Sequence, residues 1–97
     1  MYGLKDSDLD DIIGILRNFP EVEEGWIYGS RAKGNYKKGS DVDIALKGSG
    51  LSYSIVSEIS FLLNEETLMP YFFDLLNYHS LDNIELKDHI DRVGRLI

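Results

Sequence analysis

The sequence predicts an α+β fold in which a small mixed β-sheet packs against helices. Three observations carry that prediction. A strict apolar–polar alternation runs from Asp41 to Leu46, and two further short apolar stretches have strand length. Three longer segments repeat their apolar residues at helical spacing. The two kinds of segment interleave with no linker, repeat or low-complexity tract, so they belong to one domain spanning residues 1–97.

Taken in order, Ser7 or Asp6 is placed to cap a first helix, whose apolar residues are Leu9, Ile12, Ile13 and Leu16. Asn18, Pro20 and the acidic run Glu21 to Glu24, read as a solvated turn, end it. Trp26, Ile27 and Tyr28 form a short strand that stops at Gly29. Trp26 and Tyr28 share a face and read as core, with stacking on a nucleobase as the lesser alternative. Ser30 to Asn35 reads as a short helix or helical turn, and Gly34, Asn35 and Gly39 as loop. In the strand Asp41–Leu46, Asp41, Asp43 and Ala45 point one way and Val42, Ile44 and Leu46 the other.

Gly48-Ser49-Gly50 ends that strand, and Leu51 to Asn64 makes the second long helix, with Leu51, Ile55, Ile59, Leu62 and Leu63 on its buried face. Ser52, Ser54, Ser57 and Ser60 form its polar side. Tyr71 to Tyr78, after Pro70, is a third strand. Ser80 or Asp82 opens a last helix that buries Ile84, Leu86, Ile90, Val93 and Ile97.

Composition narrows the function classes. An apolar fraction of 43% and a charged fraction of 28% suit a soluble globular domain. The absence of cysteine excludes a disulfide framework and a thiolate zinc site. No uncharged stretch approaches the length of a membrane span, and no basic-then-apolar leader is visible, so a cytoplasmic location is expected. A net charge of −7 argues against a broad nucleic-acid surface. Arg31, Lys33, Lys37 and Lys38 are nevertheless four of the ten basic residues, and no acid lies between Glu24 and Asp41. One local positive patch therefore sits in an acidic chain, either as a solvated loop or as an anion site.

That patch adjoins the residues with chemical potential. Gly29 allows close backbone approach to a phosphate, and Ser30 at a helix start offers a hydroxyl and N–H groups. Arg31, Lys33 and Lys38 can neutralise the remaining charge of a triphosphate. After ten intervening residues, Asp41 and Asp43 lie on one strand face, about 7 Å apart. Such a pair suits Mg²⁺, which takes carboxylate, water and phosphate oxygens, although Asp-x-Asp also occurs in plain acidic surface strands. Asp74 interrupts the apolar Phe72-Phe73-Asp74-Leu75-Leu76. Buried there, it needs a partner; at a sheet edge it would face solvent. If its strand lies beside Asp41–Leu46, three carboxylates converge on a site for two metal ions that position a nucleoside triphosphate. His79 and His89 lack a second imidazole at ligand spacing and read as surface or capping residues.

Gly29-Ser30, ten intervening residues, Asp41-Val42-Asp43 and a later strand aspartate, Asp74, together resemble the nucleotidyltransferase superfamily with a polymerase-beta-like fold. The phrases Gly-Ser-Arg-Ala-Lys-Gly and Ser-Asp-Val-Asp-Ile-Ala-Leu, in a chain of 97 residues, look like its minimal MNT-domain branch. The resemblance implies that Gly29 and Ser30 hold the triphosphate, that Asp41 and Asp43 ligate Mg²⁺, and that Asp74 completes the site and assists the incoming hydroxyl. It also implies an antitoxin paired with a helical HEPN toxin and transferring AMP from ATP to a tyrosine of that toxin. Tyr28 departs from the smaller or non-hydroxylated apolar residue many relatives have there, which puts the packing of the phosphate turn in question.

At this length no helical domain encloses the acceptor, so the acceptor side is expected to be open or completed by a helical partner docked on apolar residues of the outer helices. Two other readings remain. One is a non-catalytic regulatory subunit that binds nucleotide or toxin; the other is transfer to a small molecule, against which the missing second domain counts. Self-association of the chain is also left open.

Overall fold

A computed structural model describes all 97 residues. Its helices are α1 (Asp6–Arg17), α2 (Gly29–Lys33), α3 (Tyr53–Glu65) and α4 (Ile84–Val93), and its strands are β1 (Glu24–Tyr28), β2 (Val42–Lys47), β3 (Phe73–Asn77) and β4 (Arg95–Leu96), with a 3-10 turn at Tyr78–Ser80. The sheet has the order β3-β2-β1-β4. β1 is antiparallel to β2 and β4, whereas β2 and β3 are parallel and joined by α3, as a parallel pair requires. The expected small mixed sheet packed against helices is what forms.

The period of two along the strands divides the core into two layers. Ile27, Val42, Ile44, Leu46 and Phe73 face α1 and α3, where Ile12, Leu16, Ile59 and Leu63 close over them. Tyr28 and Ala45 face the other way, onto Ile90 of α4, with Trp26, Leu76, Tyr78, Leu81 and Leu86 around them. Trp26 and Tyr28 thus share a face, with Tyr28 buried in the core and Trp26 half-buried against it. Ser52 caps α3 by accepting the Ile55 N–H, which satisfies one of the first-turn donors.

Three expectations need correction. Neither Ser7 nor Asp6 caps α1: Lys5 stands at that position without a side-chain bond. The last helix starts later, with Asn83 as its cap, so Ile84 falls in its first turn and is 80% exposed. That helix also stops at Gly94, and Arg95–Leu96 pair with β1 as a fourth strand. The helix ends where Gly94 turns to extended geometry (φ −58°, ψ 147°), and space there admits only glycine. A Cβ at position 94 would meet the Ile90 carbonyl oxygen at 2.5 Å and the Trp26 ring at 3.4 Å. Ile97, expected on the helix, instead donates its N–H to the Gly25 carbonyl and packs in the α1 layer.

Candidate active site

The Gly29 turn meets the carboxylates at one end of the sheet. β1 ends at Tyr28, directly opposite Asp43 in the antiparallel register. The chain then reverses through Gly29, whose φ of +73° is open to glycine alone at little cost. A Cβ there would collide with Asp43 Oδ2, so glycine is required by space as well as by conformation. The helix that follows has only five residues and ends in a left-handed Gly34, with the Gly34 and Asn35 N–H groups both donating to the Ser30 carbonyl.

Asp43 and Asp74 are register partners on the parallel strands β2 and β3, so their Cα atoms lie about 4.8 Å apart and their side chains share a face. Asp41 stands exposed just ahead of the strand, which begins at Val42, and its charge is felt at Asp43. Asp74 is also exposed, because β3 is the edge strand. The burial cost considered for Asp74 in the sequence is therefore not what places it in the site. Its register is. Asn64, near the end of α3, secures that register: its side-chain amide accepts from the Phe73 N–H at 2.8 Å and donates to the Phe73 carbonyl at 3.0 Å. It thereby satisfies the outer edge of β3 beside Asp74.

The half-buried Asp43 carries the electrostatic signature. Loss of water first, then the charges of Asp74 and Asp41, push its carboxyl up to about 6, with the Arg31 guanidinium opposing them. The Tyr28 hydroxyl is pushed up as well, by burial and then by Asp43 and Asp74. No three acidic or histidine side chains are already gathered closely enough to hold a metal ion by themselves. The donor set still fits Mg²⁺ chemically. It consists of hard oxygens under mutual repulsion, and that ion ordinarily takes one or two carboxylates and fills its octahedron with water and phosphate oxygens.

The basic residues separate into two groups. Lys33 and Lys38 are exposed on the loop side. Arg31, expected as a phosphate ligand, is only 3% exposed. Its Nε and Nη2 donate to the Ser40 carbonyl at 3.1 and 2.7 Å, and Nη1 donates to the Tyr2 carbonyl at 2.9 Å. The guanidinium also stacks with Tyr36 and Tyr71, 5.3 and 5.1 Å from their ring centres. Arg31 thus ties the loop just ahead of Asp41 to the N-terminal segment, and it reaches the site through its field on Asp43.

His89, half-buried, takes the capping role among those expected of it: it accepts the first N–H of α2, that of Gly29, on Nε2 from 60 positions away. Neither this contact nor the Asn64 clamp has a signal in local spacing, since each depends on which helix crosses which turn.

A family model described as polymerase beta, nucleotidyltransferase, matches residues 10–97. Among solved structures, a chain of a toxin–antitoxin complex with AMP-PNP is similar at a TM-score of 0.75 and 22% identity, over 96% of this chain and 72% of that one. A chain of the tri-AMPylated Shewanella oneidensis HEPN toxin in complex with MNT antitoxin gives a TM-score of 0.72 and 21% identity, over 96% and 71%. A chain of the MntA-HepT toxin–antitoxin gives 0.71 and 21%, over 95% and 70%. At such identities the likeness is one of fold. Comparison with curated proteins finds no match.

Proposed function

The chain belongs to the polymerase beta nucleotidyltransferase family, and from that premise we propose that it transfers a nucleoside monophosphate, AMP from ATP, to a hydroxyl. The acceptor is a tyrosine of a helical HEPN-type partner, and the transfer makes this chain the antitoxin of the pair. One observation carries the reading: the Gly29 turn packs against Asp43, and Asp43 has Asp74 as its register partner, so a phosphate-type turn and a carboxylate pair occupy one sheet end.

In this reading Gly29 and Ser30 receive the triphosphate, and Lys33 and Lys38 neutralise its outer oxygens. Asp41, Asp43 and Asp74 would hold Mg²⁺, which when bound neutralises the triphosphate and lowers the cost of displacing pyrophosphate. Asp74, exposed on the edge strand, orients the incoming hydroxyl and takes its proton in this reading. Asp43 must be ionised for its part, which its raised pKa permits above about pH 6. The transfer forms a bond from the acceptor oxygen to the α-phosphorus and breaks the bond to the β-phosphate.

The alternative is a regulatory subunit that binds nucleotide or toxin without turnover. Labelled ATP, Mg²⁺ and a HEPN-type helical partner protein separate the two. Label on the partner with wild type and none with Asp43→Asn is the expected result. Bound nucleotide with no transfer by wild type would leave the regulatory subunit instead.

A further inference from the structure

The backbone donor at the tip of the Gly29 turn is occupied by a side chain from the far end of the chain. Gly29 N–H donates to His89 Nε2 at 3.1 Å. A backbone N–H can only donate, so Nε2 is the acceptor in this contact. The same ring stands edge-on to Tyr28, with centroids 6.2 Å apart and planes at 79°. Its helix is itself fixed: Ile90, the next residue, is buried against Tyr28 and Ala45, and α4 packs on both β1 and α2.

The turn has need of an external hold. Glycine is the residue with the most conformations to lose, and Gly29 must keep a left-handed φ while its Cα stays against Asp43. Tyr28, at the cap position of the short helix that follows, gives it no side-chain bond. Of the side chains, His89 alone bonds the Gly29 N–H.

We propose that His89 is a positioning residue: it anchors the Gly29 N–H so that the Gly29-Ser30 turn is held against Asp43 before a nucleoside triphosphate arrives. The inference rests on the assignment of that turn to the triphosphate. His89 contacts none of the reacting groups. It spares the ligand the entropy of ordering a flexible turn, so its loss acts on binding more than on the chemical step. Because the Gly29 N–H is committed to His89, it is not a phosphate donor, and the Ser30 hydroxyl carries that contact.

The test compares wild type, His89→Ala, His89→Phe and His89→Gln in the full chain. Gln reaches about as far as Nε2 and can accept through Oε1; Phe keeps a ring edge for Tyr28 and cannot accept. Gly29 amide exchange, followed by NMR in the free protein, should quicken at least about tenfold in the Ala and Phe variants and recover in Gln. The dissociation constant for AMP-PNP with Mg²⁺, measured by calorimetry, should rise about tenfold in Ala and Phe and recover in Gln, while kcat for transfer changes less than the affinity does. Unchanged Gly29 exchange in Phe, or equal weakening in Phe and Gln, overturns the anchor. The Phe and Gln variants decide the matter if Ala does not fold. If wild type fails to bind AMP-PNP, the nucleotide assignment falls, and Gly29 exchange still decides the anchor.

Discussion

Asp43 ties stability to chemistry at the level of one residue. Its carboxyl titrates near 3.8 when the chain is unfolded and at about 6 when folded. Between those values the folded state binds the proton more tightly, so this residue's contribution to stability falls as pH rises from about 4 to 6, and the ionised form burdens the fold above that. Asp43→Asn should therefore stabilise the protein at pH 7.5 by about 1 kcal/mol, allowing for the screening of a half-exposed group, and flatten the profile between pH 4 and 6. Urea titrations at three pH values check this; the same variant should lose Mg²⁺-dependent transfer. Arg31→Met should have the opposite character, costing about 2–4 kcal/mol because it strands the Ser40 and Tyr2 carbonyls. Lys33→Ala and Lys38→Ala, both exposed, should change stability by less than about 0.5 kcal/mol. If Arg31→Met proved as mild as the lysine variants, its role as a brace would be wrong.

At the scale of elements, α4 separates what periodicity says from what packing does. Ile84 and Ile90 both fit its apolar pattern, yet Ile84 is 80% exposed and Ile90 1%. Only the middle of that helix crosses Tyr28 and Ala45. Ile90→Ala should cost about 2–5 kcal/mol in chemical denaturation and Ile84→Ser less than about 0.5, and equal losses would contradict the crossing. Ser52→Ala should cost about 1 kcal/mol through loss of the α3 cap. Helix and strand centres were legible along most of the chain because burial imposes a period of two or 3.6. The ends were less so. β4 was missed because two residues are too few to show a period, and their pairing with β1 depends on the close approach at Gly94.

For the whole molecule, the proposed acceptor arrives with a second protein. Co-expressed with the HEPN-type helical protein proposed as its partner, the chain should elute as a complex at low salt in gel filtration; separate elution of two folded proteins would remove the acceptor from the proposal. No helix of this chain is long and apolar enough to cross a membrane. By itself the sequence determined the helices and strands that carry the fold, the family, and the candidate residues Gly29, Ser30, Asp41, Asp43 and Asp74, because burial periodicity and motif spacing are local properties of a chain. Tertiary structure decided where they and their neighbours lie. It set Asp74 beside Asp43 by parallel register on an exposed edge, withdrew Arg31 from the surface into a brace, and brought His89 across 60 residues onto Gly29. Those outcomes depend on which surfaces meet once the two core layers close, and contacts of that kind leave no repeat or spacing in the sequence.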